Sequence, residues 1–361
     1  MESIPHTAAQ QSYGVYDAVL LAGDTGASRK VFGGNKSFLE INGIPLFIYV
    51  LRALQQAELI NRICIVGPGE QIVQALKDHE AASGQRNDLL LFEQCESLFS
   101  NVWKSFLHIC PEAQSVSPLP AAVSEKAILY ISGDIPLVSP FEIDNFLNRC
   151  DLARYDYFLG IASAEHLDFF RPQRGRPGIS THFFHIKEGR FRQNNFHLVK
   201  PLRVANRNYI QQVYDYRYQR DPRNILRLAQ EILKVHVGWK GLWCYGLLHW
   251  HQLLSRMRLN PLTVPTRALL PLLFIERCVS RVLGTRFVTT VTPLVGAVLD
   301  IDNEKDYKAM RVLFPTWQQY LAEREKRLKD GQHATRPVAL SGSRAAKTTL
   351  LSEPGKPPGC A

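Results

Sequence analysis

Between residues 17 and 162 the chain alternates short apolar runs with longer amphipathic ones, and this alternation constrains the fold more than any other feature. The runs at 18–22, 63–66, 89–92, 128–132 and 157–162 are short and apolar, as strands buried on both faces are. The stretches between them, at 46–57, 71–80, 98–110 and 140–150, read as helices. Strand and helix in this order predict a mostly parallel sheet covered by helices on both faces. Ligands are then expected at the carboxyl ends of the strands.

Other classes are excluded by composition. With 45% hydrophobic residues in 361, and neither a short repeat nor a sustained heptad, most of the chain is globular. Seven scattered cysteines form no C-x-x-C pair, which fits a reducing cytoplasm. The first fourteen residues lack the pattern of a secretory signal, and the longest apolar run, 268–275, is far too short to span a bilayer. Cytoplasmic localisation without a transmembrane segment is the expectation.

The positive charge is unevenly placed. Of a formal +10, the stretch 168–223 holds +8, from twelve Lys/Arg and four Asp/Glu, together with His182, His185 and His197. Residues 323–361 hold +4 and become rich in Ser, Gly, Pro and Thr from residue 331, a helix end followed by a disordered tail. Everything else sums to −2. Residues 239–283 are apolar and aromatic, with Trp239, Trp243, Tyr245 and Trp250 at helical spacing. Such spacing predicts core packing, with a surface helix touching a membrane or partner as the alternative.

Three places look chemical. The loop after the first strand, from Leu21-Ala22-Gly23 through Gly26 and Arg29-Lys30 to Lys36, offers backbone N–H groups and cations suited to a polyphosphate. It matches neither G-x-G-x-x-G nor a P-loop, and an ordinary glycine turn is the plain alternative. The strand 128–132 runs into Gly133-Asp134-Ile135-Pro136, placing a carboxylate at the sheet edge for a hard cation or, more simply, a helix cap. Asp300-Ile301-Asp302 ends an apolar run before a helix near Asn303. As strand neighbours the two acids would point to opposite faces, so only one would reach a site.

In this order and spacing, the three pieces resemble the MobA-like NTP transferases, nucleotidyltransferases of glycosyltransferase-A type, over residues 17–313. Their opening motif is matched by Leu21-Ala22-Gly23, Gly26, Arg29 and Lys36, followed by Leu39 and Gly43-Ile44-Pro45-Leu46. Gly133–Pro136 matches their Gly-Asp-x-Pro motif, Asp300–Asp306 their late acidic motif without its Thr-Pro, and Ser97 to Val102 the S-L-x-x-N-V segment that holds nucleotide. For Ser97 a helix cap is the equal alternative. The loop is about four residues longer than usual, and Asp24 replaces a small residue.

The resemblance implies a Rossmann-like three-layer α/β/α fold with a mostly parallel mixed sheet. It places a transferase domain at 16–322 with an acceptor-side insertion at about 168–285, between a flexible 1–15 and a helix end with disordered tail at 323–361. It implies transfer of an NMP group from an NTP to a phosphorylated acceptor, with pyrophosphate release and Mg²⁺ dependence. Asp134 and Asp302 would hold the metal, with Asp300 as substitute, and Lys36 would stand at the α-phosphate. Arg29 and the Gly23–Gly26 backbone would take the outer phosphates, with Leu21, Ala22, Ser97 and Asn101 also at the nucleotide. The acceptor side falls on the segment from Arg171 through Arg192 to Lys200, with Arg171, Arg174, Arg176, Asn194 and Asn195 as its contacts. A solvated basic loop is the alternative for that segment. The rival functions are a nucleotide-sugar glycosyltransferase, since Asp300-Ile301-Asp302 is a D-x-D, and a nucleic-acid-binding module. The expected partners are small phosphorylated molecules rather than nucleic acid, with peripheral membrane contact left open.

Overall fold

The computed structural model describes residues 15–24, 30–81, 87–115, 118–180, 182–211, 237–257 and 264–331. The readings of Gly26, Arg29, the N-terminal 1–14 and the tail beyond 331 lie outside the described residues.

The first half follows the predicted alternation. Strand β1 (Tyr16–Leu21) leads through a small hairpin, β2 (Glu40–Ile41) and β3 (Ile44–Pro45), into helix α1 (Leu46–Gln56). Then come β4 (Ile60–Gly67), α2 (Gly69–Asp78), β5 (Asp88–Glu93), α3 (Leu98–Ile109), two single turns α4 (Glu112–Ser115) and α5 (Ala121–Ser124), β6 (Ile128–Ser132), α6 (Pro140–Leu147) and β7 (Tyr157–Ser163). Ser139 caps α6 by accepting from the Glu142 amide, with Pro140 in the first turn.

The second half adds β8 (Phe184–Ile186), β9 (Gly189–Val199), α7 (Trp239–Arg256), α8 (Val264–Arg267), α9 (Leu272–Leu283), β10 (Phe287–Val291) and α10 (Glu304–Lys329). The sheet order is β10-β7-β9-β6-β1-β4-β5, with β8 paired to β9. All neighbours along that order are parallel except β9, which runs antiparallel between β6 and β7. The architecture is therefore a helix-covered, mostly parallel mixed sheet, as expected.

Both faces of the central strands are buried. Ala18, Leu20, Leu129 and Ile131 face α1 and α6, while Val19, Cys64, Val66 and Tyr130 face α3. A strand covered on both sides needs apolar residues at every position, which is why these segments read as continuous runs. A third cluster packs Met310, Phe314 and Trp317 of α10 under Leu299 and Ile301, so this helix supports the acidic motif from behind.

Two sequence readings are corrected. The tryptophans of α7 do not fill a core: Trp239, Trp243 and Trp250 are 71%, 43% and 51% exposed, and Cys244, His251 and Leu254 are the residues turned inward. The acids at 300 and 302 lie in irregular chain, so strand alternation does not separate them. The helix end expected beyond 322 is the last part of α10, which continues to Lys329, and there Glu325 accepts from Ser139 at 2.8 Å. Within the +8 stretch, β9 passes through the middle of the sheet, and its two ends lie at opposite edges.

Candidate active site

The carboxyl ends of β1 and β6 lie side by side, Leu21 opposite Ser132. Gly133 donates to the Leu21 carbonyl at 2.9 Å, and a Cβ there would press on that oxygen, on Ser37 and on Phe47. The chain thus needs glycine before Asp134. Asp134 caps no helix. Its carboxylate, nearly buried, accepts from the Ser132 hydroxyl at 2.5 Å and from Lys36 Nζ at 2.5 Å.

Lys36 arrives at this point because Asn35 fixes the loop. The Asn35 amide donates to the Ala22 carbonyl at 2.8 Å, and its oxygen accepts from the Ser37 amide, starting the short 3₁₀ turn Lys36–Phe38. Lys36 Nζ also reaches Asp302 at 3.3 Å. Burial works against its charge, but Asp134 and Asp302 together push its pKa above the ordinary lysine value, so the ammonium persists.

Both acids of the late motif face the site. Ile301 between them is fully buried and its amide donates to the Asp134 carbonyl at 3.3 Å, which joins the two acidic loops. Asp300 pairs with Arg192 of β9 at 2.6 Å. Burial first, then the Asp302 and Asp134 charges, push the Asp300 carboxyl up to about 7 against the pull of Arg192. Asn303 caps α10 by accepting from the amides of Lys305 and Asp306. Among the described residues no three acidic, histidine or cysteine side chains form a closed cation cage. The crowding that lifts Asp300 nevertheless marks a place where a divalent cation would relieve like-charge repulsion. One or two carboxylates with open positions is the donor set that Mg²⁺ takes.

The remaining predicted residues divide. Ala22 donates to Val66 and Leu21 accepts from Gly133, so both hold the loop by their backbones. Gly23 lies against Gln94, whose amide oxygen accepts from the Asp24 amide at 2.9 Å and whose nitrogen donates to the Asp24 carboxylate at 3.1 Å. This reciprocal pair accounts for Asp24 and was not foreseen from sequence. Ser97 caps α3 by accepting from the Ser100 amide, and the buried Asn101 accepts from the Cys95 amide at 2.5 Å. The capping reading of Ser97 is therefore realised.

On the acceptor side, β9 decides which residues reach the site. Running antiparallel, it brings Arg192 opposite Ala162 at the carboxyl end of β7, whereas Lys200, at its far end, is buried at the other edge on Glu125 at 2.5 Å and Asp156 at 3.6 Å. Asn194 is buried in the sheet, accepting from the Phe196 amide and donating to Thr292, over Gly160 where any Cβ would overlap its amide. Asn195 donates to the Ala297 carbonyl at 2.9 Å, bracing the turn before Asp300. The predicted acceptor contacts Asn194 and Asn195 are thus committed to the framework. Arg171 pairs with Asp168 at 3.4 Å, Arg176 lies 4.6 Å over Phe169, and Arg174 is exposed. His197 is half-buried and bonded to the Tyr157 hydroxyl, and its loss of solvent pushes its pKa down to about 4, so it adds no charge. Arg192, one of many cations in its stretch, is the residue whose importance the sequence did not single out.

Residues 18–235 match the MobA-like NTP transferase domain. The chain belongs to that family. Within it, 194 residues are 25% identical to a probable molybdenum cofactor guanylyltransferase of Thermococcus kodakarensis, covering 53% of this chain and 80% of that one. A further 128-residue match, 30% identical, is to a 2-C-methyl-D-erythritol 4-phosphate cytidylyltransferase of Chlorobium phaeovibrioides, covering 35% of this chain and half the length of that relative. A hypothetical transferase from Thermus thermophilus shares the fold, with a TM-score of 0.55, 22% identity, and coverage of 81% of this chain and 99% of the other.

Proposed function

We propose that this member of the MobA-like family transfers an NMP group from an NTP to a small phosphorylated acceptor, releasing pyrophosphate, with Mg²⁺ as cofactor. The observation that carries the reading is the convergence of Lys36, Asp134, Asp300, Asp302 and Arg192 at one strand edge. An acceptor oxygen attacks the α-phosphorus, pyrophosphate leaves, and negative charge builds on the phosphoryl oxygens. Positioned cations and dipoles lower that barrier without a protein nucleophile.

Asp134 and Asp302, with Asp300 beside them, are the residues that would hold Mg²⁺, which when bound supplies Lewis-acid neutralisation of the phosphates. Lys36, protonated at every working pH, is the fixed cation beside the α-phosphate. Its two carboxylate partners orient it in the free protein. Ala22 and Gly23 line the same edge with backbone, and Arg192, oriented by Asp300, faces the acceptor phosphate. Arg29 and Gly26 complete the proposed nucleotide loop, as in the family motif.

A nucleic-acid partner is disfavoured because Lys200 and Arg203 of the basic stretch are drawn onto Glu125 at the edge of the sheet away from the site. The test is a panel of CTP, GTP, UTP and ATP with Mg²⁺, scored by thermal shift, followed by phosphorylated acceptors with the best nucleotide. Pyrophosphate as the inorganic product supports the proposal. Release of a nucleoside diphosphate from a nucleotide sugar would instead make the chain a glycosyltransferase.

A further inference from the structure

Helix α7 exposes three tryptophans that nothing in the proposed reaction uses. Trp239, Trp243 and Trp250 are spaced by four and seven residues. At about 100° per residue this puts all three within roughly 40° of one another around the helix. Leu253 and Met257, 48% and 59% exposed, continue the same stripe. Beside it α9 presents Leu273, and the loop before it Leu269, 44% and 52% exposed. Between the two helices runs a groove of about 680 Å³ lined by Trp239, Trp243, Leu269, Leu273, Phe274 and Arg277.

The charge on this face is predominantly positive, with Glu188, which accepts from the Leu272 amide at 2.9 Å, as the acid at its edge. From residue 237 to 284 the sequence holds six Lys/Arg and one acid. That acid, Glu276, is buried and turned inward, accepting from the Thr289 amide at 2.8 Å and hydroxyl at 2.6 Å. Lys240 and Arg277 are exposed and line the groove with the tryptophans, and Arg281 is exposed one turn further along α9. An exposed aromatic stripe rimmed by cations is the composition of a helix that lies in the headgroup region of an anionic bilayer. A second copy of the chain is disfavoured as occupant, because a two-fold contact would set this cationic rim against itself.

From these observations we infer that the α7–α9 face docks the protein peripherally on an anionic phospholipid surface, with Trp239, Trp243 and Trp250 entering the interface. The helices are anchored through Cys244, Leu270 and Leu272 onto Ile161 and Phe191, the strand positions next to Ala162 and Arg192. Docking would therefore bring a bilayer to the acceptor end of the sheet. Among the described residues no helix is long and apolar enough to cross a membrane, so the contact is one of lying on the surface.

The experiment uses the full chain, without nucleotide, and vesicles of phosphatidylcholine with or without about 30 mol% phosphatidylglycerol. Co-sedimentation with the anionic vesicles and a blue shift of tryptophan emission are expected, both weakened by salt. The triple variant Trp239→Ser, Trp243→Ser, Trp250→Ser should fold, since the rings are exposed, and should lose about tenfold or more in vesicle affinity. Lys240→Glu with Arg277→Glu should abolish the preference for anionic lipid. No sedimentation of the wild type, or undiminished binding by the triple variant, overturns the inference. So does a concentration-dependent dimer that the triple variant dissociates, which would assign the face to a second copy, or capture by an acidic protein with no vesicle binding.

Discussion

Arg192 and Asp300, 108 residues apart in the chain, meet at 2.6 Å where an antiparallel strand crosses an otherwise parallel sheet. The pair shows how the proposed acceptor side is attached to the nucleotide side. β9 supplies the cation, the loop before α10 supplies the acid, and the same loop carries Asp302 to Lys36. Arg192→Ala should raise the KM for the phosphorylated acceptor about tenfold or more while the KM for NTP changes little. Arg192→Lys should rescue only in part, because a lysine's compact ammonium lacks the planar multi-donor fork of a guanidinium. Equal effects on both substrates would show that the arginine merely supports the loop.

Lys36 is held by two carboxylates before any substrate arrives. Lys36→Ala should lower kcat by about 10²–10³, the loss typical of one preorganised charge in a transition state, with a smaller change in nucleotide affinity. Steady-state kinetics alongside equilibrium nucleotide binding separates the two. Weakened binding with unchanged turnover would make Lys36 a ground-state clamp.

The framework role of Asn194 can be tested without substrate. Gly160→Ala places a methyl group where the Asn194 amide sits, and the mutant should lose about 1–3 kcal/mol of stability. Adding Asn194→Ala should recover part of that loss in thermal unfolding. A pair whose effects simply add would mean that the two positions do not compete for one space.

Asp17, at the opposite edge from the site, is buried and held by Arg62 and Lys126, each at 2.7 Å. Burial alone would raise its pKa, but hydrogen bonds and charge from the two cations lower it below the ordinary aspartate value. The folded state therefore binds this proton less readily than the unfolded chain. The pair's stabilisation is present in full above the unfolded pKa of about 4 and fades as pH falls through the lower folded value. Asp17→Asn should destabilise by about 1–3 kcal/mol at neutral pH and show a shallower acid limb than wild type. An identical acid limb in the mutant would exclude Asp17 as a contributor.

The sheet and its opening motif were legible in the sequence because β1, β4 and β6 are buried on both faces, so their whole runs are apolar, and because Gly133 and Asp134 follow a strand end directly. The acceptor side was not. In Arg190 to Asn195 nothing local distinguishes a residue facing the site from one facing Gly160. That distinction depends on β9 running antiparallel between two strands that are themselves far from it in sequence. Trp239, Trp243 and Trp250 share one helix face, but it is the exposed one rather than the core expected from their spacing. Which face is buried was decided by Cys244 and His251 finding partners on β8 and its neighbours, and no helical period contains that information.

The account's central claim is that Asp134, at the carboxyl end of β6, organises phosphoryl chemistry rather than structure. The most direct measurement is pyrophosphate release by purified Asp134→Ala with the preferred NTP, Mg²⁺ and acceptor, with thermal unfolding of the same sample. The account predicts near-complete loss of release with the fold retained. A mutant that keeps most of its release would contradict it.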